Sequence, residues 1–349
     1  MNKLLDLKKE DIYQKKIFLR ADLDVPVKNR EVGDSTRLNA WYPTLEYLLK
    51  NQAKVFIAGH LGRPAGIDEK LSLKPVAEWI KKELELHNDL KEVQVGEFKA
   101  WELTGNVFVL ENLRFFKEEE ENNPDFSQKL AALAQLYVND AFASSHRAHA
   151  SIVGITKFLP SYAGLRLVKE VEELSNVLNN PKRPLVVILG GAKIETKLPL
   201  VEKMHQFADY VLVGGEIAEN DKVLLKVQHE KITGKKSALI LSELNEGMTD
   251  TTLKSVENFI QISQTAQTIV WNGPLGIIED PKNTATLEMA KELVKINAYI
   301  IVGGGDTVAF LKKNNLLDKF SFASVGGGAM LEFLSGIKLP GLLSLEEKQ

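Results

Sequence analysis

Residues Leu185–Lys193 read LVVILGGAK, an apolar run that ends in a small glycine-rich motif. The pattern recurs four more times in the second half of the chain, at Tyr210–Glu216 (YVLVGGE), Thr268–Gly276 (TIVWNGPLG), Ala298–Thr307 (AYIIVGGGDT) and Phe322–Ala329 (FASVGGGA). Short runs of Val, Ile and Leu without polar alternation are typical of strands buried on both faces of a parallel sheet. The five runs therefore predict five strands of one sheet.

The glycines that follow these runs predict a binding site for phosphate groups. Parallel strands require crossover connections, and the segments between the motifs are long enough and polar enough to be helices. In open α/β sheets, ligands bind beyond the carboxyl ends of the strands. Glycine there lets the backbone approach a ligand closely, and amides at the next helix N-terminus favour an anion. One such motif alone is typical of a tight turn, whereas five in register predict a nucleotide or phosphosugar site.

Length and composition set the class of protein. A chain of 349 residues predicts two domains, and 44% hydrophobic with 26% charged residues is ordinary for a globular protein. The formal net charge of −3 gives no electrostatic reason to expect nucleic acid or an anionic membrane as a partner. The absence of cysteine excludes disulfides and thiol chemistry. The first residues (MNKLLDLKKEDIYQ) lack a signal-peptide pattern and no apolar run is long enough to span a membrane, so we expect a cytoplasmic protein.

The first half of the chain predicts a second doubly wound sheet, because strand-like runs again alternate with amphipathic segments. The runs are Lys16–Leu19, Lys54–Ala58, Val107–Leu110 and Leu136–Asn139, and the amphipathic segments include Leu38–Asn51 and Lys74–Leu86.

The strand exits in this half are basic rather than glycine-rich. A guanidinium group presents a planar fork of donors that matches phosphate and carboxylate oxygens, so several at one sheet edge predict a cationic cup. The HxxH spacing of two of the histidines has no cysteine or carboxylate beside it to complete a metal site, so none is expected there. The charged run Lys117–Glu121 is interpreted as a solvated face. The basic residues are Arg37, His60, Arg63, Arg114, His146, Arg147 and His149.

Between the halves, residues 169–178 (KEVEELSNVL) carry apolar side chains at helical spacing, and Pro181 and Pro184 then mark a break. This pattern predicts a connecting helix and a boundary within 165–183. One lobe is predicted to bind a small anion in a cup, and the other to bind phosphate groups. Two such lobes predict an enzyme that transfers a group between two ligands when the cleft between the lobes closes.

Taken together, eight motifs of this chain resemble those of the phosphoglycerate kinase family, from about residue 16 to residue 345 with one poor stretch. They are RADLDVPV (20–27), GHLGRP (59–64), ENLRF (111–115), YVNDAFASSHRAHAS (137–151), ILGGAKIETK (188–197), TIVWNGPLG (268–276), GGGDT (303–307) and SVGGGAMLEFLSGIKLPG (324–341).

The resemblance implies an α/β fold with two Rossmann-like doubly wound parallel-sheet domains, joined by a helix and separated by a cleft. The domains would be 1–164 for 3-phosphoglycerate, 165–183 as helix and linker, 184–330 as a shortened nucleotide domain, and 331–349 returning to the first domain. The implied activity is glycolytic: reversible, Mg²⁺-dependent phosphoryl transfer between ATP and the carboxylate of 3-phosphoglycerate, by a monomer.

The resemblance also implies site residues, carried over position by position. The substrate-binding residues would be Asp22, Asp24, Arg37, His60, Arg63, Arg114 and Arg147. The nucleotide-binding residues would be Gly191, Ala192, Lys193, Lys197, Gly214, Gly215, Asn272, Pro274, Glu279, Gly303, Gly304, Gly305, Asp306 and Thr307. Catalysis would rest on Arg37, Lys197, Gly326, Gly327 and Gly328, and Asp306 would face the Mg²⁺ ion.

Elementary chemistry agrees with such a reaction. A carboxylate nucleophile is already ionised near neutral pH, so no general base is required and none of the histidines needs to be one. Catalysis then reduces to positioning and to neutralising charge around the transferred group.

Four departures from the family pattern concern the two sites. Glu216 stands at the third glycine of one block, and the stretch 217–265 is shorter by some tens of residues, with Asn245–Thr249 the nearest equivalent of its turn. Val325 replaces a threonine, and Asp24 replaces an asparagine beside the cup. The hypothesis is retained kinase activity with altered nucleotide affinity or base preference.

Other classes of protein explain less of the sequence. The run DLDVP (22–26) resembles the nucleophile motif of haloacid-dehalogenase-type phosphatases but leaves the other motifs unexplained. Neither GxGxxG of nicotinamide dehydrogenases nor GxxxxGK[ST] of P-loop NTPases occurs. A scaffold that binds phosphoglycerate without kinase activity remains the alternative.

Overall fold

The computed structural model describes residues 7–9, 11–192, 197–220, 222 and 237–346. The chain divides into two compact units, the first up to Val171 and from Lys338 onward, the second from Glu172 to Ile337. The chain thus rejoins the first unit at Lys338, later than the start at 331 expected from the sequence.

The first unit is built on a sheet of order β5-β6-β7-β4-β1-β8-β9, in which β7, β4, β1, β8 and β9 pair in parallel, whereas β6 pairs antiparallel with both β5 and β7. Its strands are β1 Lys16–Ala21, β4 Lys54–Ala58, β5 Lys91–Val95, β6 Phe98–Thr104, β7 Val107–Leu110, β8 Leu136–Asp140 and β9 Ser161–Ala163, with a separate hairpin of β2 Val27–Lys28 and β3 Glu31–Val32. Its helices are α1 Thr36–Lys50, α2 Lys74–Glu83, α3 Lys117–Glu120, α4 Pro124–Ala131 and, after the second unit, α12 Pro340–Leu343.

Strand β1 lies in the interior of this sheet, between β4 and β8, and every residue after Lys16 is buried. Ile17 pairs with Val55 of β4 on one side and Leu136 of β8 on the other. The predicted strands and helices of the first half are confirmed, whereas the antiparallel edge was not predicted. Two-residue turns at Gly96–Glu97 and Gly105–Asn106 connect β5, β6 and β7 as hairpins, and these turn signals in the sequence could have revealed the edge.

The second unit carries a parallel sheet of order β12-β11-β10-β13-β14-β15. The strands are β10 Leu185–Leu189, β11 Tyr210–Val213, β12 Ala238–Leu241, β13 Thr268–Asn272, β14 Tyr299–Gly303 and β15 Phe322–Ala323. The helices are α6 Leu198–Phe207, α7 Glu216–Asn220, α8 Leu253–Ser263, α9 Ala285–Leu293, α10 Gly305–Lys313 and α11 Gly327–Leu334. The prediction that all five glycine motifs follow strands of one parallel sheet is confirmed.

Strands β10 and β13 are buried along their whole length, which explains why their sequences lack polar alternation. Trp271 of β13 is fully buried, and α8 contributes Phe259 to the same core. None of the helices in the described ranges is long and apolar enough to cross a membrane.

Two segments connect the units along the chain. Helix α5, Leu165–Asn179, begins in the first unit and continues into the second. From Lys338 the chain packs on the first unit, where Gly341 N–H donates to the Ser145 carbonyl at 2.9 Å. A Cβ atom on Gly341 would lie 2.8 Å from Ile152 Cγ2 and 3.0 Å from Ser145, so the returning backbone lies directly against the loop after β8.

Candidate functional site

In the first unit, the loops that follow β1 and β8 are joined by a buried carboxylate. Asp22 directly follows β1, and its two oxygens accept the Ala143 N–H at 2.9 Å and the Ser144 hydroxyl at 3.1 Å. Burial raises the pKa of Asp22, while the positive charges of Arg37 and Arg20 oppose that shift. Asp22 therefore holds the two strand exits in register.

Asp24 lies among three donors of the same sheet edge. Its Oδ1 accepts the Gly62 N–H at 2.9 Å, and its Oδ2 lies 3.6 Å from Arg37 Nη1 and 3.9 Å from His60 Nε2. Arg37 Nη1 also donates to the Asp24 carbonyl at 2.7 Å. The loops after β1 and β4 are thus connected through one side chain.

His60 is a neutral donor in this structure. Its Nδ1 lies 3.0 Å from Arg20 Nη2, and because a guanidinium group can only donate, Nδ1 is the acceptor and Nε2 carries the proton. Burial, with the positive charge of Arg20 next in size, lowers the pKa of His60 well below its ordinary value. His60 is therefore suited to donate one hydrogen bond to an anion.

Arg20, whose guanidinium group contacts His60, belongs to a buried network of charged and polar side chains. Arg20, which is fully buried on β1, donates through Nε to Ser151 Oγ at 2.9 Å. Ser151 donates its hydroxyl to Glu119 Oε1 at 2.5 Å and its N–H to Oε2 at 2.9 Å. His149 Nδ1 lies 3.8 Å from Glu119 Oε1, and burial lowers the pKa of His149 to about 4.

The interpretation of Lys117–Glu121 as a solvated face is wrong for Glu119, which is fully buried. Burial raises the pKa of Glu119, and the Arg20 charge and the two Ser151 hydrogen bonds oppose that shift. A charge-run pattern cannot show that one of its members is connected to a distant arginine through a serine. Arg20 itself was missed, although an arginine within a buried strand sequence was a usable signal.

The remaining arginines of the cup differ in exposure. Arg114 is buried, donates through Nη1 to the Gly62 carbonyl at 2.7 Å, and places Nε 3.1 Å from Glu120 Oε1. Arg147 is half-buried and its Nε donates to His146 Nε2 at 3.3 Å, while Arg63 is exposed. Burial and the charge of Arg63 lower the pKa of Arg147. We use the name basic cup for Arg20, Arg37, His60, Arg63, Arg114 and Arg147.

In the second unit, the backbones of neighbouring glycine motifs lie in direct contact. A Cβ atom on Gly273, where φ is +93°, would lie 2.2 Å from the Gly190 carbonyl oxygen. A Cβ atom on Gly327 would lie 3.0 Å from Gly304 Cα. Only glycine allows this approach, and the motifs after β10, β13, β14 and β15 therefore converge. We use the name glycine edge for this surface, formed by Gly190, Gly191, Gly214, Gly215, Gly273, Gly303, Gly304, Gly305, Gly326, Gly327 and Gly328.

Lys197 brings a buried positive charge to the glycine edge. It precedes α6, is 8% exposed, and its Nζ donates to the Gly190 carbonyl. Burial lowers the pKa of Lys197 to about 8, and Asp306 opposes the shift. Asp306 is exposed in the first turn of α10. Lys193, the other predicted lysine, lies outside the described residues.

Two buried polar side chains at this edge lack a hydrogen-bond partner among the described residues. They are Asn272 Nδ2 at the end of β13 and Thr307 Oγ1 in the first turn of α10. A Cβ atom on Gly304 would lie 3.6 Å from the Asn272 side-chain oxygen and nitrogen, so Asn272 faces the glycine edge. Buried polar groups are normally hydrogen-bonded, which makes these two candidates for contact with a ligand.

The other predicted nucleotide residues lie on loops around this edge. Ala192 and Glu279 are exposed, Pro274 is half-buried, and Glu216 is exposed in the first turn of α7. Val325 is buried.

Asp250, which the sequence did not single out, anchors the shortened region. Its Oδ2 accepts the Ala285 N–H at 3.0 Å at the start of α9, and its Oδ1 accepts the Thr251 N–H at 3.1 Å. A Cβ atom on Gly276 would lie 1.9 Å from Asp250 Oδ1, so the loop after β13 packs on this carboxylate. The turn expected at Asn245–Thr249 is present, with Asn245 Oδ1 accepting the Thr249 N–H at 3.0 Å.

Within the part of the chain that the structure describes, no three His, Asp or Glu side chains are grouped so that they could hold a metal ion. A Mg²⁺ ion bound through nucleotide phosphates needs only one or two carboxylates from the protein. Asp306, exposed beside the glycine edge, is chemically suited to be one of them.

Comparison with known proteins gives one family. The family model described as "Phosphoglycerate kinase" matches residues 7–243 and 220–337. The chain belongs to the phosphoglycerate kinase family. Among its relatives, "Phosphoglycerate kinase 3, cytosolic" of Arabidopsis thaliana is 39% identical over 391 aligned positions, which cover 98% of each chain. The phosphoglycerate kinase of Dictyoglomus turgidum is 37% identical, with 99% of each chain covered.

Solved structures of the phosphoglycerate kinase family agree with this fold. The Coxiella burnetii structure has a TM-score of 0.82 at 34% identity and covers 98% of this chain and 99% of its own. The Pyrococcus horikoshii structure has a TM-score of 0.83 at 28% identity, with 98% of each covered. The predicted family and fold class are therefore confirmed.

The alignments also bear on chain length. An alignment of 391 positions is longer than this chain of 349 residues, so it contains gaps in this chain. The two segments matched by the family model overlap at residues 220–243, inside the stretch expected to be short.

Proposed function

We propose that the protein is an active phosphoglycerate kinase, which transfers a phosphoryl group reversibly between ATP and the carboxylate of 3-phosphoglycerate (1,3-bisphosphoglycerate + ADP = 3-phosphoglycerate + ATP). The observation that carries this proposal is that one chain of this family bears both a basic cup and a glycine edge with a buried lysine. Relatives with "cytosolic" in their names support a cytoplasmic location, although others are named chloroplastic. We propose a monomer, as expected from the sequence.

The basic cup would bind the phosphoglycerate. Arg63 and Arg147 are exposed or half-buried guanidinium groups, and neutral His60 adds one N–H donor. Arg37 would serve both binding and charge neutralisation, while Arg114 supports the loop through the Gly62 carbonyl. Asp22 would hold the strand exits in place, since both of its oxygens already accept hydrogen bonds within the protein.

The glycine edge would bind the nucleotide. Helices α10 and α11 begin at Gly305 and Gly327, so their first amides and helix dipoles would face phosphate oxygens. Lys197 would add a positive charge, and Asn272 and Thr307 would use the donors that are unpaired in the described structure. Gly191, Ala192, Gly214, Gly215, Pro274 and Glu279 would line the rest of the nucleotide site.

The chemistry would proceed without a general base, because the substrate carboxylate is already ionised. The protein would contribute positive charge and oriented amides around the transferred group, from Arg37, Lys197 and residues 326–328. Mg²⁺, held by nucleotide phosphates with Asp306, would neutralise phosphate charge when bound.

A magnesium-dependent assay with ATP and 3-phosphoglycerate tests the proposal, run beside Arg37→Ala and Lys197→Ala. Loss of one preorganised charge contact is expected to lower kcat by about 10²–10³. Wild-type rates in both variants would refute the assigned roles. Phosphoglycerate binding without any transfer by the unaltered protein would favour the scaffold alternative.

The same assay with GTP and other triphosphates tests the hypothesis of an altered nucleotide site. Glu216, in the first turn of α7, and the shortened region anchored by Asp250 motivate it. Ordinary ATP affinity combined with strict ATP preference would contradict it.

A further inference from the structure

Asp24 places a negative charge inside a site proposed to bind an anion. The family that this chain resembles has asparagine at this position. The side chain is 40% exposed, so it lies at the surface of the basic cup rather than in the core. Its carboxylate faces three donors: Arg37 in the first turn of α1, and His60 and the Gly62 amide on the loop after β4.

Each of these donors is one that an anionic ligand could use. Arg37 is a guanidinium group, His60 carries its proton on Nε2, and the Gly62 N–H points to Asp24 Oδ1 at 2.9 Å. At 3.6 Å and 3.9 Å, Oδ2 is close enough to Arg37 and His60 for electrostatic attraction but too far for a hydrogen bond. A ligand oxygen would therefore compete with Oδ2 rather than replace a fixed contact.

The structural task of Asp24 does not require its charge. An asparagine oxygen accepts a hydrogen bond from the Gly62 N–H as a carboxylate oxygen does. The other half of an asparagine amide is an NH₂ donor, which would attract a ligand oxygen, whereas Oδ2 repels it. The hydrogen bond to the loop thus does not need the negative charge, and that charge opposes an anion in the cup.

We propose that Asp24 sets the substrate affinity of the phosphoglycerate site, because its carboxylate competes with the anionic groups of the substrate for Arg37 and His60 and so lowers affinity. This inference rests on the proposed function. It means that the site is already partly neutralised before the substrate arrives, and that substrate affinity depends on competition with an internal anion.

Calorimetric titration of 3-phosphoglycerate into the full chain without nucleotide tests this, with wild type, Asp24→Asn and the control Asp89→Asn. Asp89 is exposed and precedes β5, the outermost strand of the sheet, whereas Asp24 follows the interior strand β1, so the Asp89 variant matches the change in net charge away from the cup. We expect Asp24→Asn to bind about tenfold more tightly at an ionic strength of about 0.01 M. The gain should fall below about twofold at about 1 M, because salt screens exposed charges. Asp89→Asn should match wild type within about twofold at both ionic strengths.

Asp24→Ser serves as a second variant that removes the charge, in case Asp24→Asn does not fold. Equal or weaker binding by the folded variants, or tightening that does not respond to salt, would overturn the inference. Tightening of the same size in Asp89→Asn would overturn it as well, because the effect would then be one of net charge. If neither wild type nor Asp24→Asn binds 3-phosphoglycerate at all, the proposed function fails instead.

Discussion

The basic cup and the glycine edge are both proposed to bind anions, but the first is built from side chains and the second from backbone. The cup uses side-chain charges, and two of its arginines have carboxylates beside them: Asp24 near Arg37, and Glu120 near Arg114. The edge uses backbone, and its buried cation, Lys197, is bonded to a carbonyl oxygen. A site made of charged side chains needs opposite charges nearby to neutralise it, whereas a site made of backbone amides needs only that its backbone segments lie close together.

This comparison predicts that, in the first unit, the most destabilising kind of change is the loss of a side-chain charge. Arg20→Met leaves Glu119 buried without its nearby cation, which is expected to lower the free energy of unfolding by about 3–5 kcal/mol. Urea unfolding measures the change. The control Lys129→Met breaks an exposed ion pair with Glu97 and should cost less than about 1 kcal/mol. The double variant Arg20→Met/Glu119→Gln should be more stable than Arg20→Met alone, and equal stability would contradict the buried network.

Another buried carboxylate of the first unit, Asp140, predicts how the stability of this unit depends on pH. Burial raises the pKa of Asp140 to about 7 from an ordinary value of 3.8, so the folded state binds its proton more tightly than the unfolded state does. The free energy of unfolding should therefore fall by about 2–4 kcal/mol as pH rises from about 4 to about 7, and then level off. Asp140→Asn should lack this fall. Urea unfolding across that pH range measures both proteins. The prediction would be contradicted if the free energy of unfolding changed equally with pH in the two.

At the glycine edge, addition of a single methyl group is the damaging change. Gly273→Ala combines φ of +93° with a Cβ 2.2 Å from the Gly190 carbonyl oxygen, so it should destabilise the second unit by about 2–3 kcal/mol. Gly247→Ala is the control, because its Cβ would meet nothing closer than 3.6 Å, and it should stay within about 0.5 kcal/mol of wild type. Segment-resolved hydrogen exchange should show lost protection in β10 and β13 and unchanged protection in β1. Loss of protection in β1 instead of β10 and β13 would contradict the predicted difference between the two units.

The smallest effect concerns Lys197, a charged side chain at the glycine edge whose protonation changes in an experimentally accessible pH range. With a pKa of about 8, Lys197 loses its charge as pH rises through that value, so ATP affinity should weaken by up to about tenfold per pH unit above it. Arginine stays protonated, so Lys197→Arg should show ATP affinity that is flat over the same range, whatever its absolute value. Titrations of ATP binding between about pH 7 and pH 9.5 measure both slopes. Parallel slopes would contradict the assignment of Lys197 to the phosphates.

The sequence predicted the features that repeat and missed those that depend on a distant partner. Buried runs such as KIFLRA and LVVIL carry their own signal, because a strand covered on both faces has no polar alternation. The connection of Arg20 to Glu119 through Ser151 joins three segments far apart in sequence. The local pattern marks Arg20 as unusual within a strand but does not identify its partners. Asp250 was missed for the same reason, since its partners Ala285 and Gly276 lie beyond the next helix.

The return of the chain to the first unit has a consequence for synthesis. The loop that carries His146 and Arg147 contacts Gly341 through Ser145, and Gly341 is translated after all of the second unit. On a ribosome, the whole second unit is therefore synthesised before this loop receives its last contact. The unit that is translated first is completed last.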